Sequence, residues 1–161
     1  SGEGDNTSWG ALYIFKQSYT LGANLTVASN ATVGLNSSFV TSFTLTGDLI
    51  GPGVLTLIGG PTFDMNNTWN YAISGAAGNK IIADSGTVNI SNATLSVSGE
   101  ETATKKEYVV IDYSGAGTLA GEFAAINDLK PGGSIDYDGT DLHTNAVVLL
   151  LPASGTVLQI W

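Results

Sequence analysis

The chain has 161 residues, enough for one domain with its own apolar core. Hydrophobic residues make up 43% and charged residues only 12%, which excludes a disordered chain. The formal net charge is −9 and all the cations are lysines, which argues against nucleic acid and anionic membrane surfaces as partners, and no apolar run approaches the roughly 18 residues of a spanning helix, which argues against membrane insertion.

With no cysteine in the chain, a disulfide framework and a thiolate metal site are both ruled out. Its polarity comes from 18 Thr, 15 Ser, 12 Asn and 21 Gly. Threonine suits a pleated, half-buried surface, and glycine, asparagine and serine suit turns, so this mixture predicts many short strands joined by tight corners. The first residue is Ser1, which reads as an exported chain whose signal segment has been removed.

Along the chain, residues 1–40 carry Trp9, Tyr13, Phe15 and Tyr19 and are left unassigned as a separate N-terminal part. Period-2 alternation begins at Leu25 and Val27 and continues at Val33 and Leu35, Phe43 and Leu45, and Leu55 and Leu57. It resumes at Val88 and Ile90, Leu95 and Val97, residues 108–111 and residues 147–151. Turn chemistry separates these segments at Gly51-Pro52-Gly53, Gly59-Gly60-Pro61, Gly78-Asn79, Ser98-Gly99 and Pro131-Gly132-Gly133. Asp138-Gly139 is the best two-residue hairpin signal. Residues 100–106 carry helix-forming charges without an apolar face, and residues 122–129 could make a single helical turn with Phe123 and Ile126 inward; both read first as loops.

The expectation is an all-β domain, specifically a short right-handed parallel β-helix (a β-solenoid), with a β-sandwich as the alternative. Self-similarity favours the solenoid. Ser29-Asn30-Ala31-Thr32-Val33 follows one apolar pair, and Ser91-Asn92-Ala93-Thr94-Leu95 follows another. The solenoid is expected over residues 41–151, with residues 152–161 as a terminal strand.

From about residue 45 to 151 the order of segments resembles the end of bacterial autotransporter-type passenger domains and of β-strand-repeat surface proteins. The resemblance is carried by residues 86–97, Tyr108-Val109-Val110-Ile111, Gly121-Glu122-Phe123 and Tyr137-Asp138-Gly139. It implies a right-handed parallel β-helix that is exported and adhesive or structural. The chain is far shorter than such passengers, and residues 1–40 match no part of the pattern.

No catalytic constellation is legible. The only histidine, His143, lacks a Gly-x-Ser-x-Gly partner motif, and the glycine-rich stretches lack the Lys-Ser/Thr of a phosphate loop. Asp136, Asp138 and Asp141 have a spacing that could offer oxygens to Ca²⁺, but they read first as a solvated Asp-Gly turn. Trp9, Trp69 with Tyr71, and Trp161 are read as core first, interface second and sugar platform third. Seven Asn-x-Ser/Thr sequons occur, as chance allows in such a composition.

The function expected is therefore that of an extracellular or cell-surface structural protein without enzymatic activity or cofactor, one subunit of a self-assembling fibre or coat. Its partners would be copies of itself in head-to-tail contact, through Val157, Leu158, Ile160 and Trp161 after the break at Pro152. The second reading is an adhesin module of a longer secreted protein, with surface glycans as partners.

Overall fold

The computed structural model describes residues 12–14, 17–35, 38 and 40–152. The chain winds through successive rungs, each donating one strand to each of three sheets. The first rung is β1 (Leu12–Ile14), β2 (Tyr19–Leu21) and β3 (Leu25–Thr26), and the second is β4 (Ala31–Leu35), β5 (Ser42–Leu45) and β6 (Leu49–Ile50). The third is β7 (Leu55–Ile58), β8 (Thr62–Met65) and β9 (Thr68–Ser74), off which the short β10 (Ala77–Gly78) turns back antiparallel. The fourth is β11 (Ile81–Ala83), β12 (Ser85–Asn89) and β13 (Thr94–Ser98). The fifth is β14 (Glu107–Asp112), β15 (Ala116–Ala120) and β16 (Ala125–Asn127).

Sheet A runs β1-β4-β7-β11-β14, sheet B runs β2-β5-β8-β12-β15 and sheet C runs β3-β6-β9-β13-β16, all parallel. This is a short parallel β-helix. The sandwich alternative fails because the three consecutive strands of each rung enter different sheets instead of pairing with one another through hairpins. The solenoid also reaches back to Leu12, so residues 12–40 supply its first rung and the start of its second.

Alternation along each strand places every second side chain inside, and register stacks these side chains into columns. In sheet B the column is Tyr19, Phe43, Phe63, Val88 and Leu119; in sheet C it is Leu25, Leu49, Trp69, Leu95 and Ile126. The ring centroids of Phe43 and Phe63 lie 5.3 Å apart. Trp69 meets Tyr71 edge-on at 5.8 Å and Phe123 at 6.4 Å, so the tryptophan and tyrosine are core residues. Trp9 and Trp161 lie outside the described residues.

Corner residues stitch one rung to the next. The Asp48 N–H donates to Asn24 Oδ1 at 3.0 Å, and the Val54 N–H donates to Asn30 Oδ1 at 3.1 Å. Asn79, buried between rungs, accepts from the Ala72 N–H and donates to the Gly51 and Asn70 carbonyls. Asparagine is abundant here because one amide side chain can both donate to and accept from a neighbouring backbone that a corner leaves unpaired.

Residues 100–106, read as loop, contain a single 3-10 turn at Glu100–Thr102. Residues 122–129, also read as loop, contain β16. Among the described residues no helix is long and apolar enough to cross a membrane.

Tyr71 makes the core sensitive to alkali. Its hydroxyl donates to the Val109 carbonyl at 3.2 Å, and burial first, then neighbouring Tyr108, push its phenol well above the ordinary value. A folded-state value raised above the unfolded one gives stability that is fully present below about pH 10 and lost as pH rises beyond it. Tyr71→Phe is therefore expected to flatten the decline of unfolding free energy above pH 10 by about 1.4 kcal/mol per pH unit, one proton's worth, in denaturant titrations. An unchanged slope would mean that this phenol ionises without unfolding.

Candidate functional site at the C-terminal end

After β16 the chain leaves the regular winding. β17 (Ser134–Asp136) runs outward of β20 (Ala146–Leu150), which itself pairs antiparallel with β14. Between them β18 (Gly139–Thr140) and β19 (His143–Thr144) form a small antiparallel ribbon. The turn joins Thr140 to His143 through Asp141 and Leu142, so Asp138-Gly139 leads into the ribbon and is not its turn. Gly139 has a φ of 87°, and a Cβ there would lie 2.1 Å from the His143 carbonyl oxygen. Only glycine fits that approach.

Sheet A therefore stands two strands taller than sheets B and C at this end. At about 4.8 Å per strand the step is about 10 Å high. Beside it, β15 and β16 have no outer partner among the described residues. Ile126, the last member of the sheet C column, faces inward yet is 36% exposed because no further rung covers it.

A shelf-like cavity of about 590 Å³ runs along β15 at the foot of the step. Its walls include Tyr113, Tyr137, Asp138 and Asn145, and its floor includes Gly117 and Leu119. The Tyr113 hydroxyl donates to the Tyr137 carbonyl at 2.8 Å, and the Phe123 N–H donates to the Tyr137 hydroxyl at 3.2 Å. The Tyr137 ring packs 6.2 Å from Phe123, extending the aromatic chain that begins at Trp69. Both walls are thus held before any ligand arrives.

The shelf is acidic. Burial raises the Tyr113 phenol, and Asp138 and then Asp136 raise it further. Burial also raises Tyr137, where the Phe123 N–H opposes the shift and Glu122 adds to it. None of the cavity-lining residues is a lysine. The nearby Lys80 ammonium lies 3.6 Å from Asp112, outside the lining.

Asp136, Asp138 and Asp141 do not converge. Asp136 Oδ1 accepts the Asp138 N–H at 3.0 Å, closing a local turn, and among the described residues no three groups of metal-ligating type come together. The histidine sits half-buried on β19, in a separate cleft with Lys105 and Glu107. The terminal residues Val157, Leu158, Ile160 and Trp161 lie outside the described residues.

Tyr113, Glu122, Tyr137 and Asn145 were not singled out as one site from the sequence, because only the fold brings them together. Asn145 adopts a φ of 52°, which asparagine is among the few non-glycine residues to tolerate, but that conformation is visible only in the fold. Compared with protein-family models, with curated proteins and with solved structures, the chain matches none of them.

Proposed function

We propose that this chain is a non-catalytic structural solenoid of the cell exterior, a subunit of a surface fibre or coat that associates with copies of itself through its ends. The observation that carries the reading is where its exposed large apolar side chains lie. Of the four among the described residues, Leu12 at 39%, Tyr19 at 51% and Ile126 at 36% belong to the first or fifth rung, and only Leu142 lies elsewhere. A solenoid that must stay monomeric covers such ends with polar capping structure. Burying a side chain of this kind is worth roughly 1.5–3 kcal/mol, so a few of them supply much of a contact.

The two ends differ, so the contact is heterologous, and it propagates into a filament wherever its rotation does not close a ring. Because β20 and β17 already occupy the sheet A edge, a neighbour seats on the sheet B and sheet C side and leans away from the step. The cell-surface setting rests on the resemblance of residues 45–151 to exported passenger domains and on a composition poor in charge.

Size-exclusion chromatography over a range of concentrations tests the contact. Ile126→Lys is expected to abolish the larger species while changing unfolding free energy by no more than about 1 kcal/mol, the scale of a half-exposed site. Leu142→Lys, on the ribbon turn, should leave the species unchanged. Oligomers that survive Ile126→Lys and vanish with Leu142→Lys would move the contact to the ribbon and end this reading.

A further inference from the structure

The ladder between β12 and β15 fixes which backbone groups of β15 are spoken for. The Ala116 N–H donates to the Asp84 carbonyl at 3.0 Å, and the Ala120 carbonyl accepts from the Ile90 N–H at 3.0 Å. Alternate residues of a strand turn their backbone groups to opposite edges, so Gly117 and Leu119 turn theirs outward. Both residues lie in the floor of the shelf. The open half of the ladder and the acidic cavity therefore coincide.

We propose that this shelf is a peptide-binding site, in which an extended segment rich in lysine or arginine from another protein adds as a strand to the outer edge of β15. Main-chain bonds to Gly117 and Leu119 supply the pairing, as in other cases of strand addition. The carboxylates of Glu122 and Asp138 take the basic side chains, with the faces of Tyr113 and Tyr137 available for cation–π contact. A strand rises about 3.3 Å per residue, so the five residues of β15 match a bound segment of about five to seven residues. The volume also suits a bound segment, lying within the roughly 300–1,000 Å³ typical of ligand sites. An acidic segment is disfavoured by the same carboxylates. This inference goes beyond the assembly reading; a neighbour seated on the sheet B side would cover the same edge of β15, so peptide and neighbour compete for it.

The test uses a labelled peptide, Thr-Val-Lys-Val-Lys-Val-Thr, and fluorescence anisotropy with the full chain, both as wild type and as Ile126→Lys. The lysine peptide should bind Ile126→Lys, and should bind wild type progressively more weakly as protein concentration rises and neighbours cover the edge. Its glutamate counterpart should bind about ten-fold more weakly or worse, since like charges replace complementary ones. Methylating one alternate set of peptide amides should weaken binding by about ten-fold, while methylating the other set leaves it within about two-fold, because only one set faces the protein. The double variant Glu122→Gln/Asp138→Asn should erase most of the preference for lysine over glutamate; both side chains are exposed, so the fold is retained.

Three results overturn the proposal: no binding of the lysine peptide to either protein, equal loss with both methylation patterns, or a charge preference indifferent to the double variant. If no peptide binds while wild type still self-associates and Ile126→Lys does not, the peptide site falls and the assembly reading remains.

Discussion

Trp69→Ala is expected to lower the unfolding free energy by about 3–5 kcal/mol, the range for emptying a large aromatic site in a packed core. Trp69 is 1% exposed and stands at the centre of the sheet C column, between Leu49 and Leu95, touching Tyr71 and Phe123 as well. No neighbour can collapse into the space, since each is pinned by its own ladder. Trp69→Phe should be far milder, at about 1–2 kcal/mol, because much of the volume is kept. The indole N–H is buried without a hydrogen-bond partner among the described residues, so losing it sacrifices no bond. Chemical denaturation of the two variants checks the pair. Equal losses would mean that the indole makes a bond the structure does not show.

Gly59→Ala, one methyl group, is expected to cost about 3 kcal/mol, through a left-handed backbone and a collision together. Gly59 turns the chain from sheet A towards sheet B with a φ of 110°. A Cβ there would lie 2.1 Å from the Leu35 carbonyl oxygen one rung below, where only backbone can give way. Its N–H also donates to Ser85 Oγ one rung above, at 2.8 Å, so any shift that relieves the clash strains that bond. Gly75→Ala supplies the contrast. Gly75 has a φ of 62°, but nothing lies within 4 Å of a Cβ there, so it should show only the cost of the backbone conformation, about 1 kcal/mol. Thermal unfolding of the two variants separates collision from conformation, and similar melting temperatures would show that the rungs are less tightly apposed.

Much of this architecture could be read from alternation. The pairs Phe43 and Leu45, Leu55 and Leu57, and Leu95 and Val97 are all buried members of β5, β7 and β13. Winding was harder to read, because the interval between stacked residues changes along the chain. Leu12 lies over Val33, yet Ile81 lies over Ile111. The Ser-Asn-Ala-Thr echo shows the limit. Asn30 sits at the corner before sheet A, whereas Asn92 sits at the corner before sheet C. The similarity records what any tight corner requires, and not equivalent positions in the winding. β16 escaped notice because Ala125, Ile126 and Asn127 offer one apolar side chain of any size, and their strand conformation is imposed by the β13 ladder. Ala116 and Gly117, small residues with no β signal of their own, are strand for the same reason.

The candidate site was the least legible part. The break at Pro152 and the hairpin chemistry near Asp138 pointed to the right end of the molecule, but the reading of that hairpin as a simple two-residue turn missed its consequence. The ribbon lets β20 return between β14 and β17, and that insertion builds the step. No sequence pattern announces that a strand will be inserted antiparallel into a parallel sheet, since the apolar run of β20 suits either direction when both faces are buried.

Electron microscopy of the wild-type chain, compared with Ile126→Lys, tests most directly the claim that this solenoid joins copies of itself through its ends. The account predicts short rods linked end to end, with a bend at each junction where the neighbour leans away from the taller sheet A. Ile126→Lys should give single rods only. Discrete wild-type particles at every concentration, or rods associated side by side along their sheet faces, would contradict it.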